Sequence, residues 1–267
     1  MQIVKTIAAG RWRFSVAYRK RIKTDSPKAR NAKIQHSTDA QRILNRRLSH
    51  VGLTGIIANT FADSPDSQFV TLTFDSGHYL ATDKESELFD YAYKEAKLFL
   101  QRSRRLTARR DQEMHSVFVI GGGNNVRFHI HVVLDTLTGE DLRALWDRGN
   151  VDYHRLDVRQ EDPMKWDFVR DNGNVDPAQI AGYLMENAAC CPLGKHPWHA
   201  SKNCQRAETL ETYEIDDNVP IPAPDDADII TEERKSNAYS EFRILECILP
   251  KRQEVWIPPS AADKMIS

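Results

Sequence analysis

Apolar and polar residues alternate with a period of two at several points along this chain, and each such run predicts a strand. In Phe69-Val70-Thr71-Leu72-Thr73-Phe74, Val70, Leu72 and Phe74 fall on one face and the threonines on the other. Ser116–Ile120, a turn built on Gly121-Gly122-Gly123-Asn124-Asn125, and Val126–Leu134 predict a β-hairpin. Val151–Val158 alternates as a further strand. A helical period appears over Thr38–Ala58, through Ile43, Leu44, Leu48, Val51, Leu53 and Ile56, and over Asp83–Arg109, through Leu88, Tyr91, Ala92, Ala96, Leu98 and Phe99. Thr138-Gly139-Glu140-Asp141 starts a short helix through Leu142, Leu145 and Trp146 that stops at Gly149, and Asp176-Pro177 caps a helix over Ala178–Ala188. The order strand, helix, hairpin, helix, strand, helix predicts an α+β fold, an antiparallel sheet with flanking helices.

Composition refines this picture at the two ends. The chain has 267 residues, 40% of them hydrophobic, which suffices for one substantial core. Its net charge of −1 conceals an asymmetry: residues 1–60 carry 13 Lys and Arg against 2 Asp and Glu, whereas residues 205–267 carry 7 against 14. Residues 1–65 therefore read as a basic N-terminal arm and helix, poorly periodic and partly mobile through Ala32. The arm is suited to phosphate contact. Residues 66–205 read as the principal domain. Residues 206–267, with Glu208–Glu233 and a Pro-Ile-Pro-Ala-Pro stretch, read as an acidic, partly extended linker or partner-binding segment. No apolar run reaches the roughly 20 residues that a spanning helix needs, and no secretory signal pattern opens the chain. The expectation is a cytoplasmic protein.

Candidate chemistry centres on Phe128-His129-Ile130-His131. Strand alternation puts His129 and His131 on one face and Ile130 on the other, so two imidazoles can hold a divalent metal against a phosphate. On the last helix Tyr183, Glu186 and Asn187 stand at i, i+3 and i+4 and share a face. A tyrosine beside a metal-bound phosphate can attack phosphorus and form a phosphotyrosine link. The three glycines lack the Lys-Ser/Thr pair and the following helix of a phosphate-cradling loop, so they read as a turn. Cys190, Cys191, His196, His199 and Cys204 cluster in sequence but match no CxxC zinc knuckle, and read as free thiols and loop histidines beside the alternative of structural zinc. Candidate DNA contacts are Arg102, Arg104 and Arg105 at the end of the long helix, with Arg127, His154, Arg155 and Lys202. Phe128, Trp146, Tyr153, Trp166 and Trp198 are either base-stacking platforms or core.

Taken in order, these motifs resemble the HUH-type rolling-circle replication initiators, the Rep endonucleases of phages and plasmids, over most of residues 40–205. Phe69–Phe74 resembles that family's first strand motif and Phe128–Leu134 its His-hydrophobic-His metal motif. Leu142–Asp157 is similar to a Leu-x-x-x-Trp-x-x-Gly segment with its following strand, Ala181-Gly182-Tyr183-Leu184 to the nucleophile helix, and Trp198–Asn203 to a trailing Trp-x-x-Ser-Arg-Asn signature. The resemblance implies a sheet-based nuclease fold and metal-dependent nicking and rejoining of single-stranded DNA at an origin. It implies Tyr183 as nucleophile, His129 and His131 as ligands of Mg²⁺ or Mn²⁺, and a bacterial host cell. The implied partners are single-stranded origin DNA, a host helicase and a polymerase that extends the freed 3′ hydroxyl.

Two positions depart from the family pattern. Gly121 stands where the family carries a metal-binding Glu, and Glu186 where it carries Lys. Three readings stay open. Glu186 supplies the missing carboxylate; Asn124, Asn125 or Glu113 completes the site; or chemistry is lost and the chain is a catalytically inactive origin-binding or single-strand-binding protein on the same fold.

Overall fold

A computed structural model describes residues 1–18, 39–82, 84–123, 126–160, 167–192, 194–236 and 241–250. In chain order the elements are β1 (Gln2–Ala9), β2 (Trp12–Tyr18), α1 (Asp39–Thr60), β3 (Gln68–Thr73), α2 (Glu85–Ala108), β4 (Ser116–Gly123), β5 (Val126–Leu134), α3 (Gly139–Leu145), β6 (Val151–Arg155) and α4 (Pro177–Asn187). A 3-10 turn (Ala188–Cys190), β7 (His199–Ala200), β8 (Glu208–Ile215), β9 (Asp228–Ser236) and β10 (Glu241–Ile248) follow. They form two antiparallel five-stranded sheets, and the fold is α+β as expected. The chain divides into two units, Ile56–Gln205 and Met1–Gly55 with Arg206–Ser267.

The Ile56–Gln205 unit holds the sheet β6-β3-β5-β4-β7, with the His-x-His strand β5 between β3 and β4. Period-two alternation sorts its side chains. Val70, Leu72, Phe74, Phe118, Ile120, Phe128, Ile130, Val132 and Leu134 pack with Leu88, Phe89, Ala92, Ala96, Phe99 and Leu100 of α2 and Leu142 of α3 in one buried core. Burial of this stripe, more than intrinsic propensity, holds α2 in place. α3 opens with a capping box, Thr138 accepting from Asp141 N–H while the Asp141 carboxylate accepts from Thr138 N–H. Trp146, buried after α3, donates its indole N–H to the Thr73 carbonyl at 3.1 Å and ties this segment to the end of β3. At Gly149 a Cβ would stand 2.2 Å from the Thr73 carbonyl oxygen, so only glycine lets the chain pass there. Beyond α4, the Trp198–Asn203 segment adds β7 to the edge of β4, with Val117 opposite Ala200 and Phe118 opposite His199. Ser201 N–H donates to the Ser116 carbonyl at 2.8 Å, and the Asn203 amide donates to Glu113 and to the Met114 carbonyl.

The other unit corrects the reading of both chain ends. Its sheet runs β8-β1-β2-β10-β9, so residues 2–18, expected in a mobile arm, pair with strands from the segment expected to be an acidic linker. Val4, Ala17, Tyr213, Ile221 and Leu245 form its core, and the buried Trp12 indole donates to Glu246 at 2.8 Å. Both segments hid their strands because the alternating inward positions include Gln2 and Thr6, which a hydropathy pattern does not count. Residues 19–38, the rest of the expected arm, lie outside the described residues. Among the described residues no helix is long and apolar enough to cross a membrane.

Candidate metal and nucleophile site

The face of β3-β5-β4 opposite the α2 core carries the polar set. Register places Thr71 opposite His131 and Thr73 opposite His129 on one side, and Val119 opposite His131 and Gly121 opposite His129 on the other. The glycine run is not itself the turn: Gly121–Gly123 belong to β4, with a register shift between Gly121 and Gly123 where Gly122 and Gly123 adopt positive φ. Asn124 and Asn125 lie outside the described residues.

The two imidazoles converge. His129 Nε2 and His131 Nε2 are 3.1 Å apart. His129 Nδ1–H donates to the Arg127 carbonyl at 2.9 Å, which leaves Nε2 of the neutral ring as a bare acceptor. His131 Nδ1 lies 3.0 Å from Thr71 Oγ1. With the proton there, both Nε2 atoms present lone pairs to the same point. His131 is 2% exposed, and that burial, with the neighbouring His129, pushes its pKa down to about 3, holding it in the neutral form that ligates metals.

α4 closes this face. Asp176 caps it by accepting from Ala178 N–H at 3.0 Å and Gln179 N–H at 2.9 Å, and Pro177 fills its first position. Ile180, Ala181, Leu184 and Met185 are its buried residues. The Tyr183 ring packs 5.2 Å from the His131 ring and 5.6 Å from Phe69, with Phe168 at 6.2 Å. One turn on, Asn187 brings its amide oxygen to 3.4 Å from His129 Nε2 while its amide nitrogen donates to the Tyr183 carbonyl at 2.9 Å.

Sequence expectations are thus redistributed. His129, His131 and Tyr183 come together. Glu186 does not join them: it is exposed on α4, and among the described residues no group of three His, Cys, Asp or Glu side chains is placed to share a metal. Consecutive helical residues point about 100° apart, so packing that turns Asn187 inward turns Glu186 out. Glu113 is likewise elsewhere, accepting from Asn203 at 2.9 Å. The shared face was legible in the sequence, but which of its members faces the histidines was not.

The candidate DNA contacts scatter. Arg102, Arg104 and Arg105 lie on α2, whose buried stripe packs on the sheet face opposite the histidines. Arg102 pairs with Asp147 at 3.4 Å, and Arg155 makes a two-pronged pair with Asp157 at 2.9 and 2.7 Å. Arg127 is exposed two residues from His129, its guanidinium 4.8 Å from the centre of the Tyr79 ring. His154 stacks between Phe69 and Phe168, and Lys202 is exposed. Phe128 and Trp146 are core, Tyr153 packs against it, and Trp166 lies outside the described residues. Burial pushes the Cys190 thiol up to about 11, and its S–H donates to the Ile120 carbonyl at 3.2 Å.

Residues 67–187 match the family model of the replication-associated protein ORF2. The matched stretch runs from the residue before β3 to the end of α4 and so contains both histidines, Tyr183 and Asn187. It supports a replication initiator. No curated protein and no solved structure matches the chain.

Proposed function

We propose that the protein initiates rolling-circle replication as a divalent-metal-dependent endonuclease that nicks and rejoins single-stranded origin DNA through Tyr183. The observation that carries this reading is the convergence of His129 and His131 Nε2 atoms 3.1 Å apart beside the Tyr183 ring. Two ligands at right angles on a metal with bonds of about 2.1 Å stand about 3 Å apart, and the Asn187 carbonyl oxygen is a third acceptor at the same point. Three acceptors facing one another are stabilised by a cation, so the residues fit the group. Bound there, a dication would neutralise charge on the phosphoryl oxygens.

The chain's own residues account for the remainder. Phe69 and Phe168 hold the Tyr183 ring against the histidines. The Tyr183 hydroxyl gives up its proton as its oxygen bonds to phosphorus. The P–O3′ bond breaks, and the departing oxygen takes a proton to become a 3′ hydroxyl that a polymerase can extend. Attack by a 3′ hydroxyl on the phosphotyrosine reverses these events and reseals the strand. Arg127, next to His129 on the strand, is placed to meet the backbone of the DNA. A host helicase and polymerase are the partners this cycle needs.

The test is a denaturing gel of the protein with labelled single-stranded DNA from its own replicon and Mn²⁺, beside Tyr183→Phe and His129→Ala/His131→Ala. A covalent band lost in both variants is expected. No band from the wild-type protein, with salt-sensitive binding to the same DNA intact, would overturn the proposal in favour of a non-catalytic origin-binding protein.

A further inference from the structure

Resting on that reading, we infer that Asn187 supplies the third metal ligand from the helix that presents the nucleophile, forming a neutral two-histidine, one-amide site that favours Mn²⁺ over Mg²⁺. The orientation of the amide is fixed by chemistry. The Tyr183 carbonyl can only accept, so the Asn187 nitrogen faces it at 2.9 Å and Oδ1 faces His129 Nε2 at 3.4 Å. His129 Nε2 carries no proton in the neutral ring, because Nδ1–H is spent on the Arg127 carbonyl. Two acceptors held this way repel unless a cation lies between them.

The opposite strand cannot supply the oxygen. A Cβ at residue 121 would come within 2.5 Å of His129 Nε2, so the His129 ring fills the space through which a side chain from that position would reach the metal. The ligand therefore comes from α4, the element packed over the histidines. Glu186, exposed on the same helix, adds no charge to the set.

Two consequences follow from a neutral set. Magnesium prefers hard, charged oxygen ligands and gives up water reluctantly, whereas imidazole nitrogens suit transition metals, so selectivity moves toward manganese. Tyr183 and Asn187 are also one helical turn apart, so the ion that Asn187 holds fixes how α4 presents the tyrosine.

The experiment is calorimetric titration of the full chain, without DNA, with MnCl₂ and separately with MgCl₂. It compares wild type, Asn187→Ala, Asn187→Asp, Glu186→Ala and His129→Ala, with circular dichroism to confirm folding. The wild-type protein is expected to bind Mn²⁺ more tightly than Mg²⁺. Asn187→Ala and His129→Ala should each weaken Mn²⁺ on the order of tenfold or more. Asn187→Asp, nearly isosteric, should retain Mn²⁺ and tighten Mg²⁺, and Glu186→Ala should match wild type. Unchanged Mn²⁺ affinity in Asn187→Ala, a loss in Glu186→Ala, tighter wild-type Mg²⁺ binding or no wild-type metal binding would each overturn the inference. The expected metal pattern without a covalent DNA band would instead remove the nicking reading and leave the ligand assignment standing.

Discussion

Replacing Gly121 with alanine should disable the site while leaving the fold almost untouched. The residue lies directly opposite His129, and a Cβ there would stand 2.5 Å from Nε2, 3.0 Å from Cε1 and 3.1 Å from Cδ2 of that ring. Ordinary contact between such atoms begins near 3.5 Å, so the ring must retreat by about 1 Å. It cannot do so without cost to the site, because Nδ1–H is held by the Arg127 carbonyl at 2.9 Å and Nε2 meets His131 at 3.1 Å. A misplacement of about 1 Å at a reacting centre can cost about a hundredfold in rate. Stability should move far less. His129 is half-buried and its ring can swing outward, and Gly121 is not among the glycines at positive φ, so alanine suits the strand backbone. Overpacking a rigid core costs about 1–3 kcal/mol, and this site should fall at or below the lower end. The assay is the rate of Mn²⁺-dependent adduct formation beside the thermal midpoint and a Mn²⁺ titration of the same variant. Wild-type metal affinity and adduct rate in Gly121→Ala would refute the argument that the open space at residue 121 is what lets His129 reach its ligand position.

Three further perturbations probe other parts of the molecule. Asp141 accepts from Arg110 at 2.8 and 2.7 Å and from Thr138, and the Arg110 guanidinium above all holds its carboxyl well below the usual carboxylate range. A depressed folded-state value means this contribution is whole above about pH 4 and is lost as pH falls toward the folded value. Asp141→Asn should therefore cost about 1–2 kcal/mol at neutral pH, with the gap to wild type closing in acid; a gap independent of pH in denaturant melts would contradict this. Arg127→Ala should lower the salt slope of single-strand binding by about 0.7 if the side chain neutralises one phosphate, and an unchanged slope would remove it from the interface. In the second unit, Glu246→Ala should strand the buried Trp12 indole N–H at a cost of about 1–3 kcal/mol. Glu246→Gln keeps an acceptor and should melt close to wild type; equal losses in the two would show that the 2.8 Å bond contributes little.

What was legible in the sequence was whatever depends on local period. Alternation alone assigned Val70, Leu72 and Phe74 to one face of β3 and both histidines to one face of β5, and the register bears out both. Capping residues likewise marked α3 and α4, since Thr138 and Asp176 act within three residues of themselves. What failed was nonlocal. β2 pairs with β10 across more than two hundred residues, and nothing in the period of either strand names the other. The basic and acidic excesses of the two chain ends invited a reading as solvated segments, although β1 and β2 bury Gln2, Thr6 and Ser15 in regular alternation with exposed or half-exposed neighbours. The miss at Glu186 has a different cause. A helical face as wide as the angle between consecutive residues admits both Glu186 and Asn187, and charge favours the former as a ligand. The rotation of α4 is set instead by Ile180, Ala181, Leu184 and Met185 seeking burial. Apolar burial outweighs the preference of one exposed carboxylate, so the amide turns to the histidines and the acid to water.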